Sequence, residues 1–303
     1  MRRGAAATAT TLPDGVAAKD VHFYSEGIQC YGKVFTPKNH SADSKTPAIA
    51  LAPDWGETAA SIEKYAAHFA SRGLVAMVID YRGWGRSGGF LQTVDEVKTD
   101  DRLRFSQMTA KARIRRKRLI PREQILDIRN ALYYLQGEPG VDRARVGVWG
   151  AGMAGGHVMV IAATDARIKA VVAHTPVIEG KEAPRKASAP TGELLLAEQK
   201  RARTGQTPFS TRGAADVETR LARAEYHPFW SVEQIPQKTA VLFVIAEKDA
   251  RVNNETNAVA ASKLLKGPTD VARLPGATHT QIENGTAFDT AANAAAEWFL
   301  KHL

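Results

Sequence analysis

Short apolar runs alternate along the chain with amphipathic stretches, and the alternation predicts strands and helices in turn. Residues 21–25 and 28–35 alternate apolar and polar positions on either side of Glu26-Gly27, the signature of an antiparallel hairpin. Residues 47–53 are almost wholly apolar and short, as a strand covered on both faces must be. Ala59–Ser71 sets Ile62, Tyr65, Ala66, Phe69 and Ala70 on one helical face and stops at Arg72-Gly73, a glycine C-cap. Residues 74–79 form the next buried strand and run into Asp80-Tyr81-Arg82-Gly83-Trp84-Gly85-Arg86-Ser87-Gly88-Gly89.

Beyond a charged excursion over 90–118, Pro121 opens an amphipathic helix predicted at 122–135. Strands are predicted at 145–149 and 168–173, with a helix at 153–163 between them. Residues 240–246 restore the strand pattern, followed by a helix at 253–265, a strand at 271–274 and a closing helix at 287–300. This βα alternation predicts an α/β fold: a mostly parallel twisted sheet flanked by helices. Residues 178–232 break the rhythm, being polar and Pro-punctuated, with helical character at 192–203 and 214–224. They read as a helical cap insertion over the sheet's C-terminal edge. The expected division is a flexible N-terminus at 1–19, a core made of 20–177 and 233–303, and the cap at 178–232.

Composition narrows the function classes. Of 303 residues 44% are hydrophobic and 24% charged, a globular balance. The single cysteine, Cys30, excludes a disulfide framework and a cysteine-built zinc site, and its alternating context reads as a packed thiol. No apolar run reaches membrane-span length, and residues 1–15 lack a signal-peptide core, so a soluble, cytoplasmic protein is expected. The net charge of +9 is concentrated in Lys111-Ala112-Arg113-Ile114-Arg115-Arg116-Lys117-Arg118. That run has little aromatic interleaving and follows Asp95, Glu96, Asp100 and Asp101, so it reads as a solvated face paired with those carboxylates. An anionic ligand is the alternative. The expected partner is a small-molecule substrate, with neither nucleic acid nor membrane, and a homodimer stays open.

Candidate chemistry centres on Gly147-Val148-Trp149-Gly150-Ala151-Gly152-Met153-Ala154-Gly155-Gly156-His157. An apolar strand, a small-residue turn and a helix follow one another as in the G-x-S-x-G nucleophile elbow, but Gly152 stands where the serine would be. Glycine satisfies the positive φ that such a turn demands, yet supplies no attacking oxygen. Downstream, Asp249 follows an apolar strand, and His279 sits in the loop Gly276-Ala277-Thr278-His279-Thr280 after the last strand.

With Leu51-Ala52-Pro53-Asp54-Trp55-Gly56, the 80–88 segment and the 141–150 segment, these features resemble the α/β-hydrolase superfamily, in its dienelactone-hydrolase-like and esterase/peptidase-like branch. The resemblance covers roughly residues 20–303. It implies a triad in the order nucleophile, acid, base: Gly152 at the vacant nucleophile position, Asp249 as acid and His279 as base. It further implies an oxyanion hole from the amides of Met153 and Trp55.

Asp54 departs from that pattern, because a carboxylate repels a developing oxyanion. Either it turns away as an Asx-turn residue, or the site no longer stabilises an oxyanion. Asp54, Trp84 and His174 are expected to line the substrate pocket, which with the cap should be largely apolar and on the order of several hundred Å³. His157 reads as a buried histidine rather than a catalyst, and no spacing supports a metal or a cofactor. Three functions fit the missing serine. The first is an enzyme using the Asp249–His279 pair on a small carbonyl, ester or lactone compound, by variant hydrolysis or lyase-type chemistry. The others are a non-catalytic ligand-binding member of the fold and a serine hydrolase whose nucleophile has been substituted.

Overall fold

The computed structural model describes residues 12–94, 102, 107–178, 200, 219, 222–223 and 225–303. An eight-stranded sheet runs through it in the order β1-β2-β4-β3-β7-β8-β9-β10. The strands are β1 (Val16–Ser25), β2 (Ile28–Pro37), β3 (Thr46–Ala52), β4 (Val75–Ile79), β7 (Val141–Ala151), β8 (Ile168–His174), β9 (Ala240–Ala246) and β10 (Thr269–Leu274). β1 and β2 form the expected hairpin and β2 joins β4 antiparallel, while every pairing from β4 to β10 is parallel.

Each face of the sheet has its own helical layer. Alternation along β3 sends Ala48, Ala50 and Ala52 to one face and Ile49 and Leu51 to the other. The first face packs against α2 (Pro121–Gly137) and α3 (Met153–Thr164) through Ile128, Leu132, Val158 and Ile161. The second packs against α1 (Ala59–Ser71) and a C-terminal helix, α6 (Gly285–His302), through Tyr65, Phe69, Ala292 and Phe299. Two short helices, α4 (Phe229–Val232) and α5 (Ala260–Ser262), complete the described set.

The loop after β4 is held by buried charge. Asp80 accepts the amides of Ala59 and Arg86, both at 2.7 Å, so one carboxylate ties this loop to the start of α1. Arg82 pairs with the fully buried Asp127 of α2 at 2.7 Å. Burial pushes Asp127 up, against the lowering pull of Arg82.

Several expectations change. The charged 90–118 excursion contains a second, two-stranded sheet, β5 (Phe90–Thr93) with β6 (Ala112–Arg115), whose residues are mostly exposed and therefore carry no burial pattern to read. The N-terminus expected to be flexible over 1–19 enters β1 at Val16 and pairs with β2 from there. In the basic run Arg116 donates to the carbonyls of Ser87 and Gly85, and Arg118 lies 3.4 Å from Glu123. The acidic residues expected to neutralise the run lie outside the described residues. The helix expected at 253–265 is present but shorter, a π-helix at Glu255–Val259 that continues into α5. Asn253 and Asn254 account for its irregular start, since Asn253 Oδ1 accepts the Glu255 amide and Asn254 Nδ2 donates to Ala246 O. Most of the 178–232 segment assigned to a cap lies outside the described residues.

Candidate active site

Gly152 forms the turn between β7 and α3, with φ 52° and ψ −116°, a conformation that a side chain strains to adopt. Its amide donates to His174 O at 2.9 Å, and its carbonyl accepts the amides of Gly155 at 3.0 Å and Val177 at 2.8 Å. The turn is thus clamped from three directions. Gly150 lets it close: a Cβ there would lie 2.3 Å from Ala154 O.

Asp54, in the loop after β3, occupies the space a residue-152 side chain would fill. A Cβ on Gly152 would stand 2.1 Å from Asp54 Cγ and Oδ1 and 2.4 Å from Oδ2. Oδ1 accepts the Met153 amide at 2.7 Å, at the positive N-terminal end of α3. Asp54 therefore does not turn away as an Asx-turn residue. The amide expected to serve an oxyanion already holds a carboxylate, and a helix N-terminus favours that charge.

Asp249 and His279 come together from the loops after β9 and β10. His279 Nδ1 donates to Asp249 Oδ2 at 2.7 Å, while Oδ1 accepts the amides of Arg251 at 2.8 Å and Val252 at 2.9 Å. The Asp249 side chain is fully buried. Three donors compensate its desolvation and fix both the carboxylate and the imidazole. The Lys248 amide bonds Ala277 O at 2.8 Å and joins the two loops.

Asp54, Met153 and His279 line a cleft of about 220 Å³ together with Trp55, Arg223 and Arg251. The cap expected to enclose the pocket lies mostly outside the described residues. Trp55 contributes its ring, which lies 3.9 Å beneath the Arg223 guanidinium, a cation–π contact.

Two residues expected in the lining are elsewhere. His174 is fully buried and points to the opposite face of the sheet, where Nε2 stands 3.3 Å from the Tyr65 hydroxyl and 3.5 Å from Glu283 Oε1. Its place at the end of β8 put it near the elbow, but strand alternation turned its ring away from the cleft and left only its carbonyl there. Trp84 is part-buried against the core and does not line the cleft, donating from Nε1 to Arg118 O at 2.8 Å. His157 is buried, bonded to the Tyr226 hydroxyl at 2.7 Å and to Gln124 Oε1 at 2.9 Å. Burial holds it neutral, with its pKa lowered to about 3.

Arg223, Tyr226 and Arg251 also line the cleft, although nothing in their sequence context marked them. Glu283, outside the cleft beside His174, was also unmarked in the sequence. Burial raises its carboxyl, but His174, Lys64 and His279 together outweigh that and hold it below its ordinary value. Among the described residues no group of three histidine, cysteine or acidic side chains could hold a metal ion, and no helix is long and apolar enough to cross a membrane.

Comparison with known proteins matches residues 10–180 to the acetyl xylan esterase (AXE1) family and residues 113–303 to the prolyl oligopeptidase family. An Escherichia coli protein described as an uncharacterized 31.7 kDa protein in the traX-finO intergenic region is 26% identical over 313 residues, spanning 93% of this chain and 98% of that protein. The quorum-quenching protein AidA of Acinetobacter baumannii is 28% identical over 165 residues, or 54% of this chain and 45% of AidA. Among solved structures, DcsB in complex with its substrate analogue superposes with a TM-score of 0.76 at 19% identity, covering 95% of this chain and 100% of DcsB. Each of the two family matches spans more than half of the chain, and together with the parallel sheet and the strand–turn–helix at Gly152 they place it in the α/β-hydrolase superfamily, within the esterase and prolyl oligopeptidase group.

Proposed function

We propose that this protein is an enzyme of hydrolase or esterase type that acts on a small carbonyl, ester or lactone compound through Asp249 and His279, without a serine at the elbow. The observation that carries the reading is the 2.7 Å bond from His279 Nδ1 to a fully buried Asp249 carboxylate, with His279 lining the cleft. Asp249 accepts the Nδ1 proton, which leaves Nε2 as the basic nitrogen. Asp249 also stabilises the imidazolium that forms when Nε2 takes a proton from water or from a substrate carbon.

Acyl transfer to residue 152 is ruled out, since Gly152 bears no hydroxyl and Asp54 fills the space. Direct attack by water and proton transfer next to a carbonyl both use the pair without that hydroxyl. The superfamily supplies the esterase-type expectation, and the cleft of about 220 Å³ among the described residues has room for a small substrate.

The test is a screen of aryl esters, lactones and β-keto esters with the parent protein, His279→Ala and His157→Ala. The expected result is turnover by the parent and by His157→Ala, and a loss of ~10³–10⁴-fold in His279→Ala. Equal losses in both variants would assign the base wrongly. Tight binding of a cleft ligand without turnover would make the protein a non-catalytic binder of the same fold.

A further inference from the structure

We propose that Asp54 is itself the nucleophile, moved from the elbow to the loop after β3, and that its substrates are small strained lactones opened at their saturated carbon. The proposal rests on the assignment of His279 as the base. Its first support is position: the Asp54 carboxyl lies where the side chain of an elbow nucleophile would lie, within 2.1–2.4 Å of the Cβ that Gly152 lacks. Gly152 is thus the residue that makes room for Asp54.

The second support is the use of the elbow amide. Attack on a carbonyl carbon builds an oxyanion on the substrate, and that oxyanion needs donors. The Met153 amide is already committed to Asp54 Oδ1 at 2.7 Å. Displacement at a saturated carbon builds no oxyanion, so the first step does not need that amide. In the second step the oxyanion develops on Asp54 Oδ1 itself, where the donor already stands.

A β-lactone fits both steps. Asp54 Oδ2 attacks the saturated ring carbon bearing oxygen and forms a C–O bond, while the ring C–O bond breaks and its electron pair leaves as a carboxylate. No proton is required. His279 Nε2 then takes a proton from water as the hydroxide adds to Asp54 Cγ, with the negative charge on Oδ1 at the Met153 amide. Collapse expels the 3-hydroxy acid's alkoxide, which takes the proton from His279. Asp54 is left as the free acid and returns its proton to solvent. The sum is lactone plus water giving 3-hydroxycarboxylate and a proton. Arg223 and Arg251 line the same cleft and supply positive charge where the carboxylate is released.

The test uses β-butyrolactone and the full-length protein in water enriched in the heavy oxygen isotope. Over many turnovers the label should enter the Asp54 carboxyl, read by peptide mass spectrometry, and the product hydroxyl, with inversion at the ring carbon. His279→Ala should accumulate an adduct on Asp54 of the lactone's mass, and Asp54→Asn should lose turnover at least ~10³-fold while its melting temperature stays within a few degrees of the parent's.

Label in the hydroxyl without label in Asp54 would mean direct water attack and overturn the proposal. Label in the product carboxyl would mean acyl cleavage and overturn it as well, leaving the role of His279 intact. Absence of both turnover and adduct overturns the nucleophile and the substrate class. If an aryl ester is still turned over in a His279-dependent way, the failure belongs to Asp54 alone.

Discussion

Gly152→Ser would return a hydroxyl to the elbow, and the structure predicts that it fails unless Asp54 is removed with it. The new Cβ would lie 2.1 Å from Asp54 Cγ and Oδ1, far inside the ~3.5–4.0 Å contact of unbonded atoms. Asp54 would have to swing out and surrender its 2.7 Å bond to the Met153 amide, a charge-assisted bond of about 1.5–3 kcal/mol. Serine at φ 52° adds about 1–3 kcal/mol of backbone strain. A combined loss of about 2.5–6 kcal/mol lowers the melting temperature by roughly 4–10 °C in a chain of this size.

Asp54→Gly together with Gly152→Ser removes the clash and frees the Met153 amide for an oxyanion. Calorimetry and aryl-ester turnover separate the cases. The single variant should be destabilised and no more active than the parent. The double variant should recover stability, gain at least ~10²-fold in turnover and react with a fluorophosphonate probe. A single variant as stable as the parent and as active as the double would refute the reasoning, because it would show that Asp54 does not hold the elbow.

Other consequences follow from buried groups. His157, with its pKa lowered to about 3 by burial from 6.5, binds its proton more readily unfolded than folded. The stability it contributes is therefore present above pH 6.5 and lost as pH falls towards 3. Urea melts of the parent and His157→Gln should diverge across that window, and parallel curves would contradict the assignment. Asp127→Ala leaves Arg82 without its 2.7 Å buried partner and should cost about 3–5 kcal/mol in urea unfolding; a change below about 1 kcal/mol would show that the pair is not buried as described. Cys30 is buried and its thiol is pushed up to about 12 by burial. It should resist iodoacetamide in the folded protein and react only after unfolding, whereas rapid stoichiometric labelling of the native protein would contradict this.

The fold was legible wherever burial imposed a period. Apolar runs such as Ala240–Ala246 and the helical face of Ala59–Ser71 matched their elements residue for residue. The β5–β6 hairpin was invisible because Phe90, Leu91 and Ile114 are exposed, so no apolar/polar alternation distinguishes one face from the other. In the candidate site, local grammar marked Gly152, and strand ends marked the neighbourhood of Asp249 and His279.

Side-chain direction and long-range approach left no such mark. His174 follows its strand into the opposite core, and Trp84 is drawn aside by the Arg118 carbonyl. Asp54 stood out as a conflict between a carboxylate and an oxyanion. Its resolution depends on a contact with Met153 across 99 residues of sequence. Arg223 and Tyr226 reach the cleft from a segment whose sequence shows polarity, prolines and local helical character but no site signature.

The central claim is that the Asp249–His279 pair carries out the chemistry of this cleft, and Asp249→Asn tests it most directly. Asparagine keeps the shape of the side chain and can still engage its neighbours, but it removes the charge that orients and stabilises the His279 ring. Measured on the best ester or lactone found by screening, kcat should fall by ~10⁴-fold while the melting temperature stays within a few degrees of the parent. A folded Asp249→Asn protein with kcat within about threefold of the parent would contradict the account.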